Sequence, residues 1–309
     1  MRLDIIHATR YAYAPEVQTS WHVACLKPRG DATGQGQALL AHALAIEPPP
    51  AYRHDGEDAA GNARCIFAHE APHAELTVLA HSRVATAASA PDHGAGSQAW
   101  ERLRESLTYR AGGAHDPATD SLFASPYAPL GGPFAPFAAP CFTPGRPLAE
   151  AARALSSRIH AELRYETAST DVQTPAAAAL EQRHGVCQDF AHILVACLRT
   201  LGIPARYVSG YLLTNPPPGM PRLIGADASH AWAAAYLGQD QWLHLDPTND
   251  RAGLGTPGED YAITAIGRDF GDVSPLRGMI QGGASHHPQV QVTVAPEGDA
   301  ALAGLKLLF

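Results

Sequence analysis

The first ninety residues carry a hydrophobic pattern that is typical of short β-strands. Apolar and polar side chains alternate over residues 21–27 and 75–84, and the second run is rich in β-branched and aliphatic residues. Proline and glycine turns separate the runs, which recur about every 10–15 residues. Other strand-like runs cover residues 3–7, 9–13 (ended by Pro15), 38–47 and 62–67. The pattern predicts a small antiparallel β-sandwich over residues 1–85.

A different pattern follows. Residues 97–109 have helical spacing, and a segment rich in proline, glycine and aromatic residues continues to position 147. The prolines argue against a long helix here, and the aromatic side chains indicate a segment that packs on a surface. Residues 86–147 are therefore predicted to be a helical, proline-rich connector.

From Leu148 onward, helical and strand patterns are mixed. Apolar residues recur with helical spacing over residues 148–164, 175–182 and 187–201, and Gly202 follows the last of these helices at the usual C′ position. Strand-like runs follow at residues 205–213, 229–237, 241–245 and 289–294. We expect a catalytic domain over residues 148–270 and a C-terminal segment, 271–309, that packs on the core. The predicted fold class is α+β.

Composition and charge argue against several classes of function. The chain has 309 residues and a net charge of −8 without a basic run, which argues against a nucleic-acid partner. No apolar stretch reaches about 18 residues, so no membrane association is expected. Charged residues interrupt the N-terminus at once, unlike a secretory signal, and the expected location is the cytoplasm. The five cysteines contain no Cys-x-x-Cys pair, so a disulfide scaffold or structural zinc site is not expected.

Cys187 is the residue most strongly marked for chemistry. It stands at the first turn of a predicted helix, directly after a break at His184–Gly185. Unpaired backbone N–H groups at a helix start favour a thiolate and can hold an oxyanion. Asp189, two residues further on, opposes the thiolate, so a cationic partner is needed. Asp189 either complements the helix start or binds a substrate group or nearby loop.

Two later residues can supply that partner. His230 begins one predicted strand and Asp246 ends the next, with a tight turn at residues 238–240 between the strands. Folding the two strands into a hairpin brings His230 opposite residues 246–249. The arrangement predicts a base that a carboxylate orients, as a nucleophile requires.

Several spaced blocks resemble the bacterial transglutaminase-like superfamily, whose members have a papain-like Cys-His-Asp core. The blocks are Gly185-Val186-Cys187-Gln188-Asp189-Phe190-Ala191, residues 202–211, His230-Ala231-Trp232 and residues 242–249. The opening residues 7–17 and 26–29 resemble the N-terminal β domain that often precedes this core, and residues 272–278 match near the end. The resemblance implies that Cys187 is the nucleophile, His230 the general base and acid, and Asp246 the residue that orients it.

Two further residues are candidates for substrate binding. Gln188 lies next to the nucleophile, in the region expected to hold the oxyanion. Trp232 shares a strand face with His230, so it either walls the cleft or belongs to the core. The histidines at 184, 192 and 244 fit no metal-ligand spacing, and we expect no metal and no cofactor.

The sequence thus predicts a cysteine protease or amidase that forms a thioester and releases it with water. Its substrate would be a peptide or protein. Two alternatives stay open: a protein-glutamine transglutaminase or deamidase, and a non-catalytic interaction module. Hydrolysis is favoured because no acidic amine-binding cleft and no calcium loop is visible. The oligomeric state stays open.

Overall fold

The computed structural model describes residues 1–30, 36–88, 96–167, 174–215, 222–284, 287–303 and 308–309. Its strands are β1 (Arg2–Ala24), β2 (Gln37–Glu47), β3 (Tyr52–Glu57), β4 (Ala63–His69), β5 (His73–Thr86), β6 (Arg164–Tyr165), β7 (His184–Gly185), β8 (Ala205–Leu212), β9 (Ser229–Gly238), β10 (Gln241–Asp246), β11 (Arg251–Leu254), β12 (Tyr261–Gly267), β13 (Leu276–Gly282) and β14 (Gln289–Pro296). Its α-helices are α1 (Trp100–Ser106), α2 (Phe134–Ala138), α3 (Leu148–Glu162), α4 (Ala176–Gln182), α5 (Cys187–Thr200) and α6 (Phe270–Val273). In this part of the chain, every helix is too short or too polar to cross a bilayer.

Strand β1 joins the two layers of the N-terminal β-sandwich into one seven-stranded sheet. Its first half, around Leu3 to Arg10, pairs with β5 and β14, and its second half, around Ser20 to Ala24, pairs with β4 and β13. Strand β2 extends the first layer beside β5, and β3 extends the second beside β4. Buried side chains from both layers, including Phe67 and Leu76, form the core between them. The α+β class with an N-terminal antiparallel sandwich is confirmed.

The sequence pattern predicted that the strand ends at Pro15. The structure shows that the strand continues past this residue. The β1–β5 ladder shifts register between Ala12 and Val17, and the chain then continues as strand. Pro15 falls within this irregular stretch, where no ladder partner needs its missing N–H.

The C-terminal segment completes this same sandwich. Strands β13 and β14 both pair antiparallel with β1, so residues near the two ends of the chain lie in one sheet. Sequence reasoning predicted a strand at residues 289–294, which is β14, but not β13. The region predicted to be catalytic, residues 148–270 and called the catalytic region below, therefore lies along the chain between strands of the sandwich.

The catalytic region packs helices against a second antiparallel sheet with strand order β11-β10-β9-β8-β12. Helix α5 is apolar around nearly its whole circumference, and every residue from Asp189 to Arg199 is buried. It packs on β9 and β8, and α2, α3 and α4 cover its other sides. The hairpin predicted between residues 229 and 245 is present as β9 and β10.

Buried Arg199 fastens the connector to this core. Its guanidinium donates hydrogen bonds to the carbonyl oxygens of Phe123, Ala205 and Arg268 and to Ser125 Oγ. Burial lowers its pKa to about 10, so the side chain stays charged near neutral pH. The connector thus packs on a surface, as its aromatic residues predicted.

Two side-chain amides join the sandwich to the catalytic sheet. Gln37 accepts a hydrogen bond from the N–H of Ile263 (2.6 Å) and donates one to its carbonyl (2.8 Å). Asn62 makes the same pair of bonds with Ile266, each at 2.8 Å. Both partners lie on the edge strand β12, so the amides satisfy backbone groups that a further strand would otherwise pair.

Candidate active site

A tight turn over residues 183–186 leads into Cys187, and hydrogen bonds fix its conformation. Arg183 ends α4 with a left-handed backbone (φ 59°), and the two-residue strand β7 then pairs in parallel with β6. Asp189 is buried, and its Oδ2 accepts the N–H of Val186 at 2.8 Å, just before the first helical residue. The carboxylate therefore caps the start of α5. Of the two roles considered for Asp189, its contacts favour the one at the helix start.

Gly185 is required by the same turn. A Cβ atom at this position would lie 2.6 Å from Oδ2 and 2.9 Å from Cβ of Asp189, closer than real contacts allow. Absence of a side chain lets the capping carboxylate approach the backbone. Cys187 is thereby placed at the first turn of α5, half-buried and reduced.

The structure brings Cys187, His230 and Asp246 together. His230, at the start of β9, hydrogen-bonds through Nε2 to Oδ2 of Asp246 at 2.7 Å. The thiol of Cys187 lies near the same imidazole and contributes to the raised pKa of His230. The side chain of His230 is 10% exposed and that of Asp246 is not exposed at all. The site is thus open on the cysteine side and sealed on the carboxylate side.

Three further donors surround Asp246. Tyr261 Oη and Asn249 Nδ2 each donate to its Oδ2 at 2.7 Å, and the N–H of Thr248 donates to Oδ1 at 2.9 Å. Sequence reasoning quoted Asn249 only as part of a matching block and missed Tyr261 entirely. Tyr261 comes from β12, and no local motif marks a residue that reaches the site from another strand.

Charge and burial act against each other at His230. Burial alone lowers its pKa, but the hydrogen bonds and charges of Asp246 and Cys187 raise it to about 10. Burial likewise acts to raise the pKa of Asp246, but the bonds from His230, Asn249 and Tyr261 outweigh it, and that pKa is lowered. The pair is therefore imidazolium and carboxylate near neutral pH.

Trp232, predicted as a substrate-binding residue, has no exposed surface. Its ring centroid is 6.0 Å from that of His230 and 5.4 Å from that of Tyr261. Its Nε1 donates to Nδ1 of His244 at 2.9 Å, and burial lowers the pKa of His244 to about 3, so this imidazole is neutral. The burial favours the alternative that Trp232 supports the site from within the core.

Gln188, the other predicted substrate-binding residue, is half-buried at the second position of α5. Tyr165, which no sequence motif indicated, lies near the same turn. It pairs in register with Gly185, its ring meets Phe190 edge-on, and half of its surface is exposed. Burial and the neighbouring Cys187 raise the pKa of the phenol. A neutral hydroxyl therefore lies near the thiol.

His192, on the helix that carries Cys187, has structural partners in the core. Nε2 of His192 accepts the N–H of Phe270 at 3.1 Å, and the ring stacks on Tyr207 and Tyr127. Burial lowers its pKa to about 3. Across the described residues, no three His, Cys, Asp or Glu side chains are grouped so that they could hold a metal ion.

Comparison with known proteins extends this picture. The model of the transglutaminase-like superfamily matches residues 136–247, and that of the bacterial transglutaminase-like N-terminal region matches residues 3–85. An uncharacterized protein of Mycobacterium tuberculosis is 39% identical over 308 residues, covering 97% of this chain and 94% of that protein. A protein-glutamine gamma-glutamyltransferase of Pseudomonas aeruginosa is 36% identical over 69 residues, 22% of this chain and 10% of that enzyme.

A solved structure shares the fold. The crystal structure of a candidate cysteine protease from Cytophaga hutchinsonii superposes with a TM-score of 0.70 and 19% identity, over 96% of this chain and 90% of that one. The transglutaminase-like family model supports a cysteine-dependent kind of enzyme. The chain belongs to the transglutaminase-like superfamily and carries its bacterial N-terminal region.

Proposed function

We propose that this protein is a cysteine-dependent hydrolase of peptide or amide bonds that works through Cys187, His230 and Asp246. The observation that carries the proposal is the grouping of these three side chains: a fully buried carboxylate hydrogen-bonds the imidazole, and a half-buried thiol lies near that imidazole. Such a grouping supplies a nucleophile, an acid and base, and a residue that orients it.

The reaction follows from the positions of the groups. The thiolate of Cys187 attacks the carbonyl carbon, and the backbone N–H at the start of α5 stabilises the oxyanion. The imidazolium of His230 gives its proton to the leaving amine as the C–N bond breaks, which leaves a thioester. His230 then takes a proton from water, whose oxygen attacks the thioester. The C–S bond breaks, the acid leaves, and the thiolate of Cys187 forms again beside the imidazolium.

Asp246 holds the imidazole in place and favours its charged form. Its four donors keep the carboxylate ionised in a buried position, where an unpaired charge would be costly. Neutral Tyr165, beside the thiol, is suited to donate a second hydrogen bond to the oxyanion.

The first experiment separates an enzyme from an interaction module. Iodoacetamide should label Cys187 rapidly near pH 7 in the wild type and at least about tenfold more slowly in His230→Ala, because the thiolate loses its cationic partner. His192→Ala, which removes a neutral core imidazole, is the control for a change that leaves the triad in place. Equally slow labelling of wild type and His230→Ala would favour the module.

A second candidate function is transfer to an amine. The name of the P. aeruginosa relative supports it, over the 69 residues that match. Peptides offered with and without a primary amine distinguish the two functions by mass spectrometry. We expect cleaved or deamidated peptide in both samples, and amine adducts as the main product would reverse this order.

A further inference from the structure

A cavity of about 760 Å³ opens where the sandwich, the connector and the catalytic sheet meet. Arg29 and Ala60 line it from the sandwich, Ser121 from the connector, and Arg206 and Trp242 from the catalytic sheet. None of its lining residues belongs to the triad. Its volume is in the range of small-molecule sites, which is roughly 300–1,000 Å³.

Arg206 presents its guanidinium to this cavity from a rigid support. The guanidinium carbon lies 3.8 Å from the ring centroid of Trp242, and Nε donates to Ser121 Oγ at 3.3 Å. Among the described residues, no carboxylate forms an ion pair with this guanidinium, and its two terminal nitrogens have no hydrogen-bond acceptor. Stacking holds the group flat while its donors stay available.

A second arginine faces the first from the other domain. Arg29 uses one terminal nitrogen on the carbonyl of Ala60 and on Asn62 Oδ1, while its buried Nε lacks a partner in the described part of the chain. The two cations repel each other: burial lowers the pKa of Arg206, the charge of Arg29 lowers it further, and the charges of Asp240 and Asp116 only partly oppose this. An anion between them would relieve the repulsion.

The cavity's third arginine is already neutralised. Arg268 donates to both carboxylate oxygens of Asp272, at 2.8 and 3.0 Å. The other two carboxylates of the lining, Asp120 and Asp240, are exposed. The cavity therefore has two half-buried arginines, Arg29 and Arg206, that lack a close ion pair among the described residues. It also has two exposed carboxylates. A simple anion would meet repulsion from those exposed carboxylates.

We propose that this cavity binds a zwitterion, a free amino acid or short peptide. Arg206 and Arg29 hold its carboxylate, and its ammonium group faces Asp120 or Asp240. The carboxylate of the ligand then meets arginines that lack a close ion pair among the described residues. Its ammonium group meets an exposed carboxylate that is held only loosely. The site is separate from the proposed hydrolase centre and does not depend on its activity.

Calorimetry on the full chain tests the proposal, with the Cys187→Ala variant run in parallel to exclude binding through the thiol. Ala-Ala should bind, whereas N-acetyl-Ala-Ala and Ala-Ala-amide should each bind at least about tenfold more weakly, since each lacks one charge. Arg206→Gln should lose binding, and Arg268→Gln, whose guanidinium is already paired, should retain it within about twofold. Binding of Ala-Ala that survives Arg206→Gln would overturn the assignment.

One double variant keeps the test decisive if Arg206→Gln does not fold. The Asp120→Asn/Asp240→Asn double variant should weaken Ala-Ala about tenfold and leave N-acetyl-Ala-Ala unchanged, because only the ammonium contact is removed. Inorganic phosphate is the comparison ligand. Binding of phosphate as tight as that of Ala-Ala would reduce the cavity to a general anion site and contradict the proposal, as would no binding of Ala-Ala.

Discussion

Among single residues, Asp246 has the most crowded polar surroundings of the triad. Four donors from four residues converge on two oxygens that have no solvent exposure. A buried carboxylate is stable only when such bonds replace its hydration. The protonation states of Asp246 and His230 therefore depend also on hydrogen-bond donors outside the triad.

The pH dependence of activity follows from His230. Its pKa in the folded chain, about 10, is above the ordinary value of 6.5, so its contribution to stability is complete below about pH 6.5 and is lost as pH rises towards 10. We expect kcat/KM to fall on the alkaline side near pH 10, where the imidazolium that protonates the leaving amine disappears. In Asp246→Asn this fall should move to lower pH by about 1–3 pH units.

The same variant tests the rate. Asp246→Asn should lower kcat/KM by roughly 10³-fold, because the imidazole loses the group that orients it. Asp250→Asn, an exposed neighbour that bonds Ser157, serves as the control and should stay within about twofold. An unshifted alkaline limb in Asp246→Asn would contradict the role given to this carboxylate.

Tyr261 is predicted to be a positioning residue. Tyr261→Phe keeps the ring against Trp232 but removes one donor from Asp246, so the pKa of the carboxylate should rise. Activity should then be lost at higher pH during acidification, and unfolding should cost about 1–3 kcal/mol less. A pH–rate profile and urea unfolding measure the two effects. If Tyr261 has a purely structural role, urea unfolding will change and the pH–rate profile will not.

At the scale of secondary-structure elements, the connection into α5 decides where the nucleophile lies. Gly185→Ala would force Asp189 away from the turn, because the new Cβ would lie 2.6 Å from its Oδ2. We expect a loss of about 1–3 kcal/mol in stability and a larger loss of activity as Cys187 shifts. Gly30→Ala, with no atom within 4 Å of the added Cβ, is the matched control in unfolding and kinetic assays.

The elements that carry the triad could be predicted because their signals are local. Helix α5 combines a glycine break, an apolar stripe and a C-terminal glycine, and the β9–β10 hairpin has a marked turn. Tyr261 and β13 could not be predicted in this way, because each gains its role through contacts with residues distant in the sequence. The prediction that the strand ends at Pro15 failed for a related reason: the residues after Pro15 pair with β4 and β13, which lie far along the chain.

For the molecule as a whole, the return of the chain to β1 makes the sandwich depend on its last strands. A chain that ends at residue 274 lacks β13 and β14, which pair with both halves of β1. Those ladder edges would be exposed, and we expect the shortened protein to be aggregation-prone or unfolded. Size-exclusion chromatography and circular dichroism would measure this, with an unshortened chain carrying Arg277→Gln as control. A monomeric, folded product would show that β1 is stable without these partners.

The pairing of Arg2 with Glu297 also has a mechanical consequence. Their ion pair, at 3.2 Å, stands beside the last rung of the ladder that joins Leu3 to Pro296, and the two strands run in opposite directions from there. A force pulling these two positions apart would load one rung at a time, as in opening a zipper, instead of shearing many hydrogen bonds together. The protein should thus yield first at this seam, at low force, while the helix that bears the thiol keeps its place on its own sheet.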